Sequence, residues 1–185
     1  PQAMALTGSA TPEVRREIIR ATGLGSPRGL GQVIGSFDRG NLWFGVTRVS
    51  SEADRLSALL SLLRQHALAI VYAPSRSGTE ELTRLLVCAG FPAAPYHAGL
   101  SSQVRRETLS RFLDNAVRVV VATCAFGMGI DKPDVRVVVL WNLPATPEGY
   151  YQEAGGAGRD GAPARCVLLF RPGDDRIPRR QVEVT

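Results

Sequence analysis

Lysine is almost absent from this chain. Of 22 lysine and arginine side chains, only Lys132 is a lysine. That scarcity excludes one common device. A loop of the form GxxxxGK[ST] cradles phosphates with a lysine that reaches the β and γ groups, and Lys132 lies instead in GIDKPD. Histidine is also scarce, with His66 and His97 the two present. Neither stands at ligand spacing from another donor, so no metal site is expected. The three cysteines, Cys88, Cys124 and Cys166, are far apart and form no CxxC pair. That usage suits small buried thiols in a reducing compartment, the cytoplasm, rather than a disulfide framework. No apolar run approaches the ~18 residues of a membrane span. PQAMALTGSA lacks the basic head and long apolar body of a secretory signal. It starts with Pro1 rather than Met, and the chain reads as cut from something longer.

What is present suits one domain with an appended piece of another. Across 185 residues, 44% are hydrophobic, enough for a real core, and the net charge of +5 fits an anionic partner. From Glu52 onward, helix-period and strand-like segments alternate. Leu56, Leu59, Leu60 and Leu63 mark one helical face, and Leu82, Leu85, Leu86 and Ala89 mark another, ended by Gly90 and Pro92. Ser101 or Ser102 caps a third helix that turns Val104, Leu109 and Phe112 inward, and Pro147 opens a fourth. ALAIVY (67–72), VRVVVA (117–122), VRVVVLW (135–141) and CVLLF (166–170) read as strands, with a short one near Pro95–His97. Nearly continuous β-branched runs mark strands buried on both faces, hence a parallel sheet covered by helices. Ahead of these, MALTGSA reads as a strand and Glu13–Thr22 as a helix behind Thr11 and Pro12. GLGSPRGLG (23–31) reads as a connector, and VIGSF (33–37) and NLWFGVTRV (41–49) as strands.

Ligands of open α/β sheets bind outside the carboxyl ends of the strands. SRS (75–77), HAGL (97–100) and TCAFGMGIDKPD (123–134) each follow a strand directly, so they are expected along one edge of the sheet. The most distinctive stretch is YYQEAGGAGRDG (150–161). Close glycines let a backbone approach a bulky anion, while Arg159 offers a planar five-donor fork, a combination suited to a nucleoside triphosphate.

The same stretch resembles motif VI of the RecQ-type superfamily 2 helicases, usually written QExGRAGRDG, with Gly156 at the position of the first family arginine. Other family motifs follow in order: LTGSAT (6–11) is similar to motif III, FDRGNL (37–42) to FDRPNL, and VYAPSR (71–76) to motif IV. YHAGL (96–100) is similar to motif IVa and VATCAFGMGIDKPDVR (121–136) to motif V. The resemblance implies a RecA-like, three-layer α/β domain of the P-loop NTPase type with a mainly parallel sheet, the C-terminal motor domain of a helicase. Residues 37–175 would form that domain, 1–36 the end of the first motor domain, and 176–185 a basic tail.

By the same resemblance, Arg159 would be an arginine finger toward the γ-phosphate of ATP, with Gln152 as its polar partner. Asp131 and Gly129 would stand on the nucleotide side, and Ser75, Arg76, His97, Thr123 and Gly127 would meet a DNA backbone. The parent would use ATP and Mg²⁺, together with its first motor domain, to move 3′ to 5′ along single-stranded and forked DNA. Its implied setting is repair and recombination at the nucleoid. Lacking a P-loop, this segment alone would be inactive. Plainer readings stand beside these. Arg159 with Asp160 could be a surface ion pair, His97 a satisfied core histidine, and Gly127 and Gly129 a tight turn. Tyr150, Tyr151 and Trp141 read as packing, and the arginines from Arg171 onward as a solvated tail. A nucleic-acid-binding or interaction module without ATPase activity, or part of another superfamily 2 helicase such as one acting on RNA, are the competing functions.

Overall fold

The computed structural model describes residues 4–5, 11–23, 33–34, 38–127 and 131–174. The chain divides into two compact units, Pro1–Arg39 and Gly40–Thr185. In the first, helix α1 (Pro12–Thr22) begins where its sequence says it should. The Thr11 hydroxyl accepts from the Val14 amide at 3.3 Å, Pro12 needs no partner for an N–H, and Gly23 closes the helix at φ 66°. The strands expected over MALTGSA and VIGSF fall largely outside the described residues.

The second unit is built on a six-stranded sheet in the order β1-β6-β5-β2-β4-β3. Its strands are β1 (Leu42–Arg48), β2 (Ala69–Tyr72), β3 (Ala93–Tyr96), β4 (Val119–Ala122), β5 (Val137–Leu140) and β6 (Ala164–Phe170). Every pairing is parallel, as the β-branched runs imply. Side chains alternate between two cores. Ile70, Tyr72, Val120, Ala122, Val138, Leu140 and Cys166 face one, and Val71, Val121, Val139, Val167 and Leu169 the other. Helices α2 (Glu52–Gln65) and α3 (Arg76–Cys88) cover the second face through Leu59, Leu63, Leu82 and Leu86. Helices α4 (Ser102–Leu113) and α5 (Pro147–Ala154) cover the first through Phe112 and Ala154, joined there by Phe126 from a 3₁₀ turn (Cys124–Gly127). The result is a three-layer α/β unit.

Two helical stripes differ from the expectation. Leu85 is 43% exposed and Ala89 is also exposed, because α3 buries Thr79 and Thr83 in their place. Both hydroxyls donate to the carbonyl four residues back, Thr79 to Ser75 at 2.8 Å and Thr83 to Thr79 at 2.7 Å, so neither enters the core as an unmet donor. On α4 the buried pair is Thr108 and Phe112, and Val104 turns outward. The cysteines differ as well: Cys166 is buried under the sheet, but Cys88 and Cys124 are exposed.

Register aligns the carboxyl ends of four strands. Tyr72 pairs with Ala122 and Leu140, and Ala122 with Tyr96. The loops after Tyr72, Tyr96, Ala122 and Leu140 therefore leave from one edge.

Candidate nucleic-acid interface and nucleotide-facing arginine

At that edge, Ser75 caps α3, its hydroxyl accepting from the Gly78 amide at 3.0 Å. Arg76, the first helical residue, is exposed. Its side chain lies across the next loop: a Cβ placed on Gly99 would meet Arg76 Cδ at 3.1 Å, Arg76 Nη1 at 3.3 Å and His97 Nδ1 at 3.2 Å. A side chain at 99 would press on the arginine and shift it by a few tenths of an ångström. His97 itself is 3% exposed, with Nε2 3.2 Å from Glu80 Oε1 and Nδ1 buried without a partner. This burial fits the reading of a core histidine, while the unpartnered Nδ1 leaves that position unsatisfied. Thr123 is half-buried; its amide donates to Tyr96 O at 3.2 Å, and its carbonyl accepts from Phe126. Gly127 ends the 3₁₀ turn, and Gly129 lies outside the described residues.

Between this edge and α5 lies a cavity of about 220 Å³, bordered by Tyr72, Thr123, Cys124, Asn142, Leu143 and Glu153 among others. Its walls carry unmet polar groups: the Tyr72 hydroxyl and Asn142 Oδ1 are buried without a hydrogen-bond partner. Burial raises the Tyr72 phenol above its ordinary range and pushes the Glu153 carboxyl up to about 7. Both lie in segments singled out from the sequence, Tyr72 in VYAPSR and Glu153 in YYQEAGGAGRDG, but neither is assigned a role there.

The segment after the 3₁₀ turn does not stay at the carboxyl edge. By Arg136 it has crossed the sheet, where the Arg136 amide donates to Leu68 O, just ahead of β2. Asp131 travels with it, which corrects the expectation that the whole of 123–134 lines one edge. The glycine-rich stretch meets it there: the Gly158 amide donates to Val135 O at 2.9 Å and the Asp160 amide to Pro133 O at 3.4 Å. Lys132, the lone lysine, is 5% exposed and structural. It donates to Leu113 O at 3.2 Å, pairs with Asp134 at 3.1 Å and lies 5.6 Å from the Phe112 ring centroid.

Arg159 sits on this assembly, with Nη1 3.9 Å from Asp131 Oδ1. Asp160 pairs with Arg136 rather than with Arg159, and the guanidinium hydrogen bond holds its carboxyl below the ordinary range. Asn41, 117 residues away, fixes the turn by donating from Nδ2 to Gly158 O at 2.7 Å and to Ala162 O at 2.9 Å. Gly158, at φ 54°, has no room for a Cβ, which would lie 2.8 Å from Ala162 O. Gly156 differs: a Cβ there meets only Glu153 O at 3.4 Å, Ile70 Cδ1 at 3.5 Å and Val138 Cγ2 at 3.9 Å. Gly156 and Arg159 line one small cavity, about 10 Å³, of which Tyr72 also forms a wall. Gln152 is exposed on α5. Two clusters thus emerge, Ser75–Arg76–Thr123 at the carboxyl edge and Asp131–Gly156–Arg159 behind it, with Tyr72 bordering the cavity of each. Among the described residues no group of His, Cys, Asp and Glu could hold a metal ion, and no helix is long and apolar enough to cross a membrane.

Comparison with known proteins places this geometry. Residues 53–161 match the family described as helicase conserved C-terminal domain. The chain is 40% identical over 183 residues to the ATP-dependent DNA helicase RecQ of Bacillus subtilis, covering 99% of this chain and 30% of that protein. It is 39% identical to the protein of the same name from Pasteurella multocida, covering 97% of this chain and 30% of the relative. The chain thus spans about a third of the length of these relatives. Among solved structures, a DEAD box protein from Methanococcus jannaschii is similar with a TM-score of 0.68 at 25% identity, covering 91% of this chain and 46% of that one.

Proposed function

We propose, from the premise that this chain belongs to the helicase conserved C-terminal domain family and within it to the RecQ helicases, that its larger unit is the second motor domain of an ATP-dependent DNA helicase. The separation of two clusters on one RecA-like scaffold carries this reading. The carboxyl-edge cluster offers a hydroxyl at Thr123, the exposed guanidinium of Arg76 and the capped start of α3. Such donors contact phosphates without reading bases, which suits a motor that must step along any sequence. The other cluster presents Arg159.

Arg159 fits a phosphoryl group. Its side chain is 36% exposed, and its 3.9 Å approach to Asp131 is too long for a hydrogen bond, so the fork keeps its donors for phosphate oxygens. ATP with Mg²⁺, bound by a first motor domain, supplies the phosphoanhydride bond whose hydrolysis powers movement. Arg159 would stabilise charge on the transferring group from across the interdomain cleft. Gln152 would stand beside it, and Asp131 would hold the arginine until the cleft closes. Movement 3′ to 5′ on single-stranded and forked DNA, and a role in repair and recombination at the nucleoid, complete the proposal.

Steady-state ATPase assays of the complete polypeptide with single-stranded DNA and with RNA test it. Stimulation by DNA well above that by RNA is expected; equal or greater stimulation by RNA would assign the chain to an RNA-directed motor. This chain alone, which carries no GxxxxGK[ST] loop, is expected to show no nucleic-acid-stimulated turnover. Detectable turnover from it would refute the division of labour.

A further inference from the structure

Arg159 sits in a turn whose two flanks are tied by one side chain. Asn41 Nδ2 donates to Gly158 O at 2.7 Å and to Ala162 O at 2.9 Å, on either side of Arg159, Asp160 and Gly161. Both acceptors are carbonyl oxygens, which only the amide nitrogen can serve, and this fixes which way the Asn41 carboxamide points. The main chain of the same residue adds a third tie: Asn41 O accepts from the Ala164 amide at 2.9 Å, at the head of β6. The fit is close, since a Cβ on Gly158 would stand 2.7 Å from Asn41 Nδ2. The other ties across to this turn run to a different place. The Gly158 amide, the Asp160 amide and the Asp160 carboxylate meet Val135 O, Pro133 O and Arg136, all in the connection that carries Asp131. Asn41 joins the turn to the head of β1 instead. Among the described residues Ala162 O accepts from no other donor, so without the Asn41 amide that flank of the turn is released.

We propose that Asn41 is a positioning residue for Arg159: it closes the 158–162 turn so that the guanidinium leaves it in one direction, toward the nucleotide. This inference rests on the reading of Arg159 given above. A planar fork stabilises a transferring phosphoryl group only when its N–H bonds meet the charged oxygens. A misplacement of about 1 Å costs on the order of a hundredfold in rate. Asn41 acts on the backbone of the turn, and through it on the arginine. It is also the second residue of the larger unit, so the tie to Arg159 begins directly after the boundary at Arg39. Aspartate at 41 is the most informative change. It keeps the shape of the side chain but sets an anionic oxygen, in place of the donor, against two carbonyl oxygens, which opens the turn.

Steady-state and single-turnover ATPase assays of the complete polypeptide with single-stranded DNA test this. Asn41→Asp and Asn41→Ala are placed in the wild type and in Arg159→Ala, with folding followed by thermal circular dichroism. The alanine variant removes both donors without repulsion, and it carries the test where the aspartate variant does not fold. Asn41→Asp is expected to lower kcat about 10- to 100-fold and Asn41→Ala by less, while KM for ATP and affinity for single-stranded DNA stay within about twofold. In the Arg159→Ala background neither change should lower kcat further, because the group that Asn41 aims is gone. Unchanged kcat in the wild-type background would overturn the positioning role. A loss of the same size in both backgrounds would overturn it too, and would assign Asn41 to stability alone. Arg159→Ala with unchanged kcat would overturn the reading of Arg159 itself, and the positioning role with it.

Discussion

Gly156 occupies a position where the related helicase motif carries an arginine, and its surroundings accept a Cβ at ordinary contact distances. The nearest atoms to a Cβ there are 3.4 Å and farther, and the residue shares its small cavity with Arg159. Under the proposed role of Arg159, an arginine at 156 would bring a second guanidinium to the nucleotide. One such contact in a transition state is worth about 2–4 kcal/mol. Gly156→Arg in the complete polypeptide is therefore expected to raise ATP turnover about tenfold or more, read by steady-state ATPase assay. No change would mean that another side chain already supplies the contact. Glu153 makes a second residue-level prediction. Burial raises its carboxyl from 4.5 to about 7, so across that window the folded chain holds a proton that the unfolded chain has released. Its contribution to stability therefore falls as pH rises through the window and levels off above it. Glu153→Gln should melt with the wild type near pH 4 and above it near pH 8, as followed by thermal circular dichroism.

Elements are held in register by pairs that local sequence does not announce. Arg55 on α2 and Asp174 beyond β6 are 1% and 2% exposed, and their side chains meet at 2.5 Å. Asp174 also accepts from the Arg171 amide at 3.0 Å and from Asn142 at 3.3 Å, and Arg55 lies over the Trp141 ring. This cluster ties α2, the loop after β5 and the end of β6 into one piece. Asp174→Ala would leave the buried Arg55 with Glu52 alone, 3.3 Å away, which is expected to destabilise the fold by about 1–3 kcal/mol in urea denaturation. Nothing in the helical period of α2 marks Arg55, because a partner 119 residues away leaves no local pattern. The same holds for Asn41 and the turn at Gly158. By contrast, the valine runs of β4 and β5, the Ser101 cap of α4 and Pro147 at the head of α5 were legible, since each acts within a few residues of itself. Helix faces were legible only in part. An apolar stripe names Leu82 and Leu86 correctly, but cannot foresee that Thr79 and Thr83 bury by returning their hydroxyls to the backbone.

In the molecule as a whole, parallel topology determines where the chemistry collects. Four strands end together, which assembles Ser75, Arg76 and Thr123 from distant parts of the chain. The long connection into β5 then carries Asp131 back across the sheet to meet Arg159, a crossing that strand order alone does not reveal. Motif spelling singles out the segments, and only the fold divides them into two groups. The central claim is that Arg159 serves a nucleotide held by another domain while the carboxyl edge holds the nucleic acid. The most direct test measures DNA-stimulated ATPase and single-strand affinity together for the complete polypeptide and its Arg159→Ala variant. The account predicts that turnover falls by about 10³-fold or more while affinity for single-stranded DNA is kept. Unchanged turnover, or a loss of turnover matched by an equal loss of DNA binding, would contradict it.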